Sequence, residues 1–216
     1  MFFAPLLILA WLTDKVAPEH HKNDTDKNEV QSKKAKTAKI KMTFDQAMDT
    51  MLAHGFLPQL PAVFISSSIV NVQNSPKTHF QGIALSKKKL SLLHFWATWC
   101  GPCKRELPYF ADFASSQEVM DIYAITPEIK NNVAEEASKI WDYYRENNIK
   151  GLNVCADTYG KLAAELKVSG IPATLLISPD GFLLGRFLGE TDWTNEKLVS
   201  ALIVFCNEFK NTSQPQ

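Results

Sequence analysis

The sequence predicts an α/β domain: a central mixed sheet covered by helices on both faces and closed by an antiparallel pair of strands. Three observations predict it. From Leu90 onward, short apolar runs alternate with longer stretches whose apolar residues recur at helical spacing. Alternation of this kind builds strands joined by crossover helices. Late in the chain, two apolar runs are separated by Ser178-Pro179-Asp180-Gly181, a turn sequence that sends the second strand back along the first. The third is Trp96-Ala97-Thr98-Trp99-Cys100-Gly101-Pro102-Cys103-Lys104, where two cysteines stand between an apolar run and a helix-competent stretch.

The elements follow in order. Thr43 to His54 reads as a short helix, with Thr43 as N-cap, Phe44, Met48, Met51 and Leu52 on one side, and Gly55 past its end. Between Leu57 and Phe80, the β-prone pieces Ala62-Val63-Phe64-Ile65 and Ile69-Val70-Asn71-Val72 predict an N-terminal hairpin. Leu85 to Lys89 lead into a strand over Leu90 to Ala97. The helix Lys104 to Gln117 buries Leu107, Phe110 and Ala114. Val119 to Thr126 reads as a strand. Glu128 to Asn147 reads as a longer helix, with Ile129, Val133, Ala137, Ile140, Trp141 and Tyr144 at helical spacing. A strand over Leu152 to Ala156 and a helix over Thr158 to Leu166, capped by Asp157, come next. Ala173 to Ser178 and Phe182 to Leu188 form the closing hairpin. The helix Thr194 to Phe209 turns Leu198, Leu202, Phe205 and Phe209 inward.

Composition narrows the classes. The 216 residues suffice for one domain of about 150 plus appendages. Lys and Arg number 23, as do Asp and Glu, so no basic patch argues for a nucleic-acid partner. The 4 cysteines are too few for a disulfide scaffold. Met1 to Leu12 carries no charged side chain. It is shorter than the roughly 20 residues that span a bilayer, but long enough for the apolar core of a secretory signal. Residues 1–12 are therefore expected to be a signal or membrane-anchor segment. The run lacks a preceding Lys or Arg and a clear small-x-small site after it, so cleavage and retention both stay open. Residues 13–42, polar and charged, are expected to be a flexible tether. His20 and His21 within it read as a solvated pair rather than a metal site. Residues 43–60 are expected to be a short helix and connection, 61–210 the folded domain, and 211–216 a disordered tail.

The cysteine pair carries the chemistry. A helix N-terminus presents unpaired N–H groups and the positive end of the helix dipole, and so favours a thiolate. The thiolate is the species that attacks a disulfide. Two intervening residues let both sulfurs meet across the first turn, and Pro102 suits an early helical position, where its missing N–H has no cost. Cys100 is expected to be the exposed attacker and Cys103 the resolving thiol. A zinc site would want a second ligand pair at similar spacing. Cys155 and Cys206 stand alone and read as buried small hydrophobes, with a structural disulfide between them as the alternative. No metal is expected, and no cofactor beyond the redox-active disulfide Cys100–Cys103.

From about Pro61 to Phe209 the chain resembles the thioredoxin fold, and more narrowly the TlpA/ResA/CcmG group of extracytoplasmic thiol–disulfide oxidoreductases. Four motifs carry the resemblance: His94 to Cys103, Lys104-Arg105-Glu106-Leu107-Pro108, Val168-Ser169-Gly170-Ile171-Pro172-Ala173-Thr174, and Ser178-Pro179-Asp180-Gly181 with Gly189 beyond. Tyr123 to Asp157 matches the group's extra strand and long helix. The resemblance implies a cis Pro172, with Ile171 offering backbone groups to a peptide beside the disulfide. It implies that Trp99, Gly101, Pro102 and Ile171 border the substrate. It also implies that Glu106, one turn beyond Cys103, takes part in proton handling. His94 departs from the pattern, which has Asp or often Asn there. Strand alternation places His94 on the side of Trp96, opposite Phe95. It is either a titrating imidazole that serves the dithiol or a neutral, hydrogen-bonded core histidine.

The expected activity is a dithiol reductase acting on protein disulfides outside the cytoplasm, in a bacterial periplasm or anchored to the membrane and facing it. Protein thiols and disulfides are the expected substrates, a membrane electron donor the expected partner, and the N-terminal segment the expected membrane contact. Apocytochrome c and copper-site cysteines are the substrates the resemblance implies. A disulfide-donating oxidase is the alternative enzyme, and a copper-delivery protein on the same fold the alternative from another class.

Overall fold

The computed structural model describes residues 41–64, 69–71, 81–83, 85–129 and 133–212. The apolar segment 1–12, nearly all of the tether 13–42 with His20 and His21, and residues 213–216 lie outside the described residues. Helix α1 (Phe44–Ala53) starts where Thr43 and Gln46 cap each other's backbone, and ends before Gly55, whose φ of 87° disfavours any side chain. Strands β1 (Phe56–Phe64), β2 (Ile69–Asn71) and β3 (Gln81–Ile83) follow. Strand β4 (Ser91–Phe95) leads into α2 (Gly101–Ser116). The rest runs β5 (Asp121–Ile129), α3 (Val133–Glu146), β6 (Val154–Thr158), α4 (Lys161–Glu165), β7 (Ala173–Ile177), β8 (Phe182–Leu188) and α5 (Glu196–Thr212).

These strands form one sheet in the order β1-β8-β7-β4-β5-β6-β2-β3. Strand β4 lies near its middle, parallel to β5 and antiparallel to β7, and β7 and β8 form the closing hairpin. The mixed α/β architecture is the one that the alternation of strands and helices predicts. Leu92, and Trp96 just past β4, pack with Phe110, Leu202 and Phe205 on one face of the sheet; Leu93 and Phe95 pack with Leu162, Leu166 and Leu175 on the other. A strand covered on both faces reads as a continuous apolar run, which is why Leu90 to Ala97 shows so little polar alternation.

The N-terminal pairing differs from the expected one. Among the described residues, Ala62–Phe64 and Ile69–Asn71 do not pair with each other. Strand β1 pairs with β8 at one edge of the sheet, while β2 joins β6 near the other edge and makes its hairpin with β3. Gly185 helps to decide this: a Cβ there would stand 2.3 Å from the Phe56 ring, so only glycine lets β1 lie against β8 at this point. Residues 43–60 hold α1 and the start of β1, which lie against α5 and β8. Helix α1 packs on α5, with the Phe44 and Phe205 rings 5.3 Å apart, and Met48 and Met51 are fully buried.

Three helix starts also differ by three residues or more. Helix α2 begins at Gly101 rather than Lys104, because Cys100 itself is its N-cap. Helix α3 begins at Val133 rather than Glu128, because β5 continues to Ile129 and pairs irregularly with β6 there. Helix α4 begins at Lys161 rather than Thr158, because Tyr159 and Gly160 both take left-handed conformations, each with φ 66°. Asp157 still caps this helix across that turn. Among the described residues no helix is long and apolar enough to cross a membrane.

Candidate active site

The chain passes from β4 into α2 at the dithiol. Cys100 and Cys103 are joined as a disulfide. Helix α2 has no acidic residue in its first turn and carries Pro102 at an early position, so the positive end of its dipole meets the sulfurs undiminished. The Cys103 backbone N–H donates to Cys100 Sγ at 3.2 Å. Cys103 is 0% exposed and Cys100 only 5%, so in the disulfide Cys100 is buried rather than exposed as expected, though it is the one nearer to solvent.

The other site residues come from distant sequence. The Ile171–Pro172 peptide is cis, and the Ile171 carbonyl oxygen lies 3.8 Å from Cys100 Sγ. The Gly189 N–H donates to the Pro172 carbonyl at 2.9 Å and ties this loop to the end of β8. Trp99 is 78% exposed, and Gly101 and Pro102 are exposed beside it. Ile171 is half-buried. Together these residues make an apolar, solvent-facing rim beside the disulfide.

Beneath the start of α2 is a buried polar group of side chains. Glu106 is 3% exposed and His94 0%. Glu106 Oε2 accepts the Thr191 N–H at 2.6 Å, and Glu106 Oε1 lies 3.4 Å from His94 Nε2, close enough to interact but not aligned as a formed hydrogen bond. His94 Nδ1 is 2.9 Å from Thr174 Oγ1. Burial pushes the Glu106 carboxyl up to about 7, opposed by the Thr191 hydrogen bond and helped by the nearby Glu190 charge. Burial lowers the His94 imidazole to about 3, so the ring is neutral at ordinary pH. At the surface next to this group, Arg105 grips the Glu190 carboxylate with two hydrogen bonds, at 3.1 and 2.5 Å.

All the predicted site residues are therefore described, and they form two sets. Cys100, Cys103, Ile171 and Pro172 meet at the sulfurs, with Trp99, Gly101 and Pro102 on the rim. Glu106 and His94 meet below. Two participants escape sequence reasoning. Thr174 has a weak signal, as it closes the Ile171-Pro172-Ala173-Thr174 run and sits opposite His94 in the β4–β7 register. Thr191 has none, because it acts through its backbone N–H.

Cys155 and Cys206 are free and buried; burial pushes the Cys155 thiol up to about 12 and the Cys206 thiol up as well. Thiols held protonated in this way are poor nucleophiles. Among the described residues no group of three His, Cys, Asp or Glu side chains is placed to hold a metal ion.

The thioredoxin family model matches residues 71–138. Sporulation thiol-disulfide oxidoreductase A of Bacillus subtilis (strain 168) is 27% identical over 146 residues, which are 64% of this chain and 82% of that protein. Thiol-disulfide oxidoreductase ResA of the same organism is 35% identical over 98 residues, 44% of this chain and 50% of ResA. Among solved structures, the exposed lipoprotein thioredoxin of Streptococcus pneumoniae strain TIGR4 shares the fold, with a TM-score of 0.51 at 20% identity over 66% of this chain and 99% of that one. The chain therefore carries a disulfide at the strand-to-helix junction of a thioredoxin-like fold, and it is similar to thiol–disulfide oxidoreductases of the ResA and sporulation type.

Proposed function

We propose that the protein is a dithiol reductase that acts on protein disulfides outside the cytoplasm. The observation that carries the reading is the Cys103 N–H bond to Cys100 Sγ, at a helix N-terminus with no acid in its first turn. It supports a thiolate on the more exposed sulfur when the pair is reduced. Cys100 attacks one sulfur of a substrate disulfide. The substrate S–S bond breaks, its other sulfur leaves as a thiolate, and a mixed disulfide forms. Cys103 then loses its proton and attacks Cys100 Sγ. The second substrate thiolate leaves, and two electrons have passed from the pair to the substrate.

The remaining roles are part of the same proposal. Ile171 and the cis Pro172 hold the substrate backbone alongside Cys100, and Trp99, Gly101 and Pro102 form the rim on which it rests. Glu106, one helical turn beyond Cys103, receives the proton that Cys103 gives up. The sulfurs alone carry the electrons, so no further cofactor is needed. A membrane electron donor restores the dithiol, and the apolar run Met1 to Leu12 supports a site of action at the membrane, outside the cytoplasm. Apocytochrome c cysteines are the substrate class that fits a reductase placed there.

The test is the reduction potential of the Cys100–Cys103 pair in the full chain, by equilibration with dithiothreitol or glutathione. A value near about −270 mV supports a reductase with a dedicated electron supply. A value near about −120 mV overturns it and makes the protein a disulfide donor. Cys100→Ser abolishes reduction of a protein disulfide in either case.

A further inference from the structure

Glu106 Oε1 and His94 Nε2 face each other across 3.4 Å in the buried interior, and neither atom has another hydrogen-bond partner among the described residues. Their far sides are already committed. Glu106 Oε2 accepts from the Thr191 backbone N–H, a donor that cannot turn into an acceptor. Any proton that Glu106 holds is therefore best placed on Oε1, towards His94. His94 Nδ1 meets the Thr174 hydroxyl, which can donate or accept.

A neutral imidazole carries one N–H and one lone pair. When Glu106 is ionised, the arrangement that pairs every atom puts the proton on Nε2, pointing at Oε1, with Thr174 donating to Nδ1. When Glu106 is protonated, its O–H donates to Nε2, and Nδ1–H donates to Thr174 Oγ1. The other combinations set two lone pairs or two protons against each other at 3.4 Å between two buried side chains, which leaves buried polar atoms unpaired.

We propose that His94 and Thr174 form a tautomer switch that gives Glu106 Oε1 a hydrogen-bond partner whether or not it carries its proton. This rests on the reading of Glu106 as the acceptor for the Cys103 proton, and it makes His94 a positioning residue rather than a catalytic one. The proton count balances. One proton enters the trio and settles on Nδ1, the Nε2 proton passes to Oε1, and the Thr174 hydroxyl turns from donor to acceptor. The imidazole is neutral before and after, and the charge of Glu106 goes from negative to zero.

The surroundings are consistent with this. The titratable and charged groups near Glu106 are Arg105 and Cys103 from α2, His94 from β4 and Glu190 from the loop after β8. Arg105 is held by Glu190, and Cys103 does not titrate while oxidised. The walls are apolar: the His94 and Phe110 rings are 4.3 Å apart, and Phe110 meets Trp193 at 5.0 Å. Burial separates the two titrations, with Glu106 lifted to about 7 and His94 lowered to about 3. Around neutral pH only Glu106 changes charge.

The experiment is nitrogen-15 NMR of the His94 ring in the oxidised full-chain protein, from about pH 5 to about pH 9, within which an ordinary histidine also titrates. The expected result is an exchange of roles, with the protonated nitrogen being Nδ1 at low pH and Nε2 at high pH. In Glu106→Gln the two shifts no longer respond to pH. A single tautomer throughout overturns the proposal, and so does an imidazolium signal at low pH, which would put the charge on His94. The rate of thiol exchange in Glu106→Gln reports separately on the underlying reading. An unchanged rate removes Glu106 from proton handling whatever the tautomers do. A slowed rate with a fixed His94 tautomer keeps Glu106 and removes the switch. His94→Phe tests the same point in solution: the Glu106 midpoint rises, and His94→Asn, which has both a donor and an acceptor, brings it back towards wild type.

Discussion

Two buried carboxylates in this molecule do different work. Asp157 takes a backbone N–H on each oxygen, from Leu162 at 3.0 Å and Ala163 at 2.7 Å, and so closes the open end of α4. Glu106 takes one backbone N–H on Oε2, and its Oε1 faces an imidazole that can either donate or accept. Burial raises both carboxyls. At Asp157, several backbone donors oppose that rise, because N–H groups bond the anion well and the acid poorly. The lesson is about donors. A buried acid surrounded by fixed N–H groups is a cap, whereas one with a convertible partner on a free oxygen can trade a proton.

The comparison can be broken at either acid. The largest effect is expected from Glu106→Gln. The folded state holds the Glu106 proton up to about 7 and the unfolded chain only to 4.5, so the native state binds more protons across that window. This group's contribution to stability therefore falls as pH rises from 4.5 towards 7, by about 3 kcal/mol at most. The difference in unfolding free energy between wild type and Glu106→Gln, from urea titrations at several pH values, carries that slope; a difference flat in pH contradicts it. Next is Asp157→Ala, which strips two buried N–H groups of their acceptor and costs about 2 kcal/mol. Thermal unfolding reads the loss, while thiol exchange per folded molecule stays at the wild-type rate. A fall in that rate without a loss of stability would make Asp157 more than a cap. The smallest effect is expected from Glu190→Gln. Its charge helps to raise Glu106, so the Glu106 midpoint moves slightly down, with no resolvable change in melting temperature because the Arg105–Glu190 pair is exposed.

The site was legible in part. Cys100, Cys103 and Pro102 announce themselves through spacing and position alone. Pro172 and Ile171 were legible through motif resemblance rather than through any local physical signal. Glu106 was legible as a carboxylate one turn beyond Cys103, but its partner was not. His94 looked like either a titrating group or a core residue, and burial makes it a neutral ring whose meaning depends on Glu106 and Thr174. The N-terminal strands show the same limit: Ala62–Phe64 is plainly β-prone, yet nothing in it names β8 as its neighbour.

What the sequence by itself determined is local. The Thr43 cap of α1, the turn at Pro179 to Gly181 and the two-faced burial of β4 arise within a few residues, where capping, turn chemistry and side-chain period act. What only the tertiary structure decided is which distant groups share the buried space. His94 reaches Thr174 across 80 residues of sequence, and Glu106 reaches Thr191 across 85. These pairings depend on strand order and on how α2 lies against the end of β8. The same two side chains on another sheet order would be a solvated acid and an ordinary histidine.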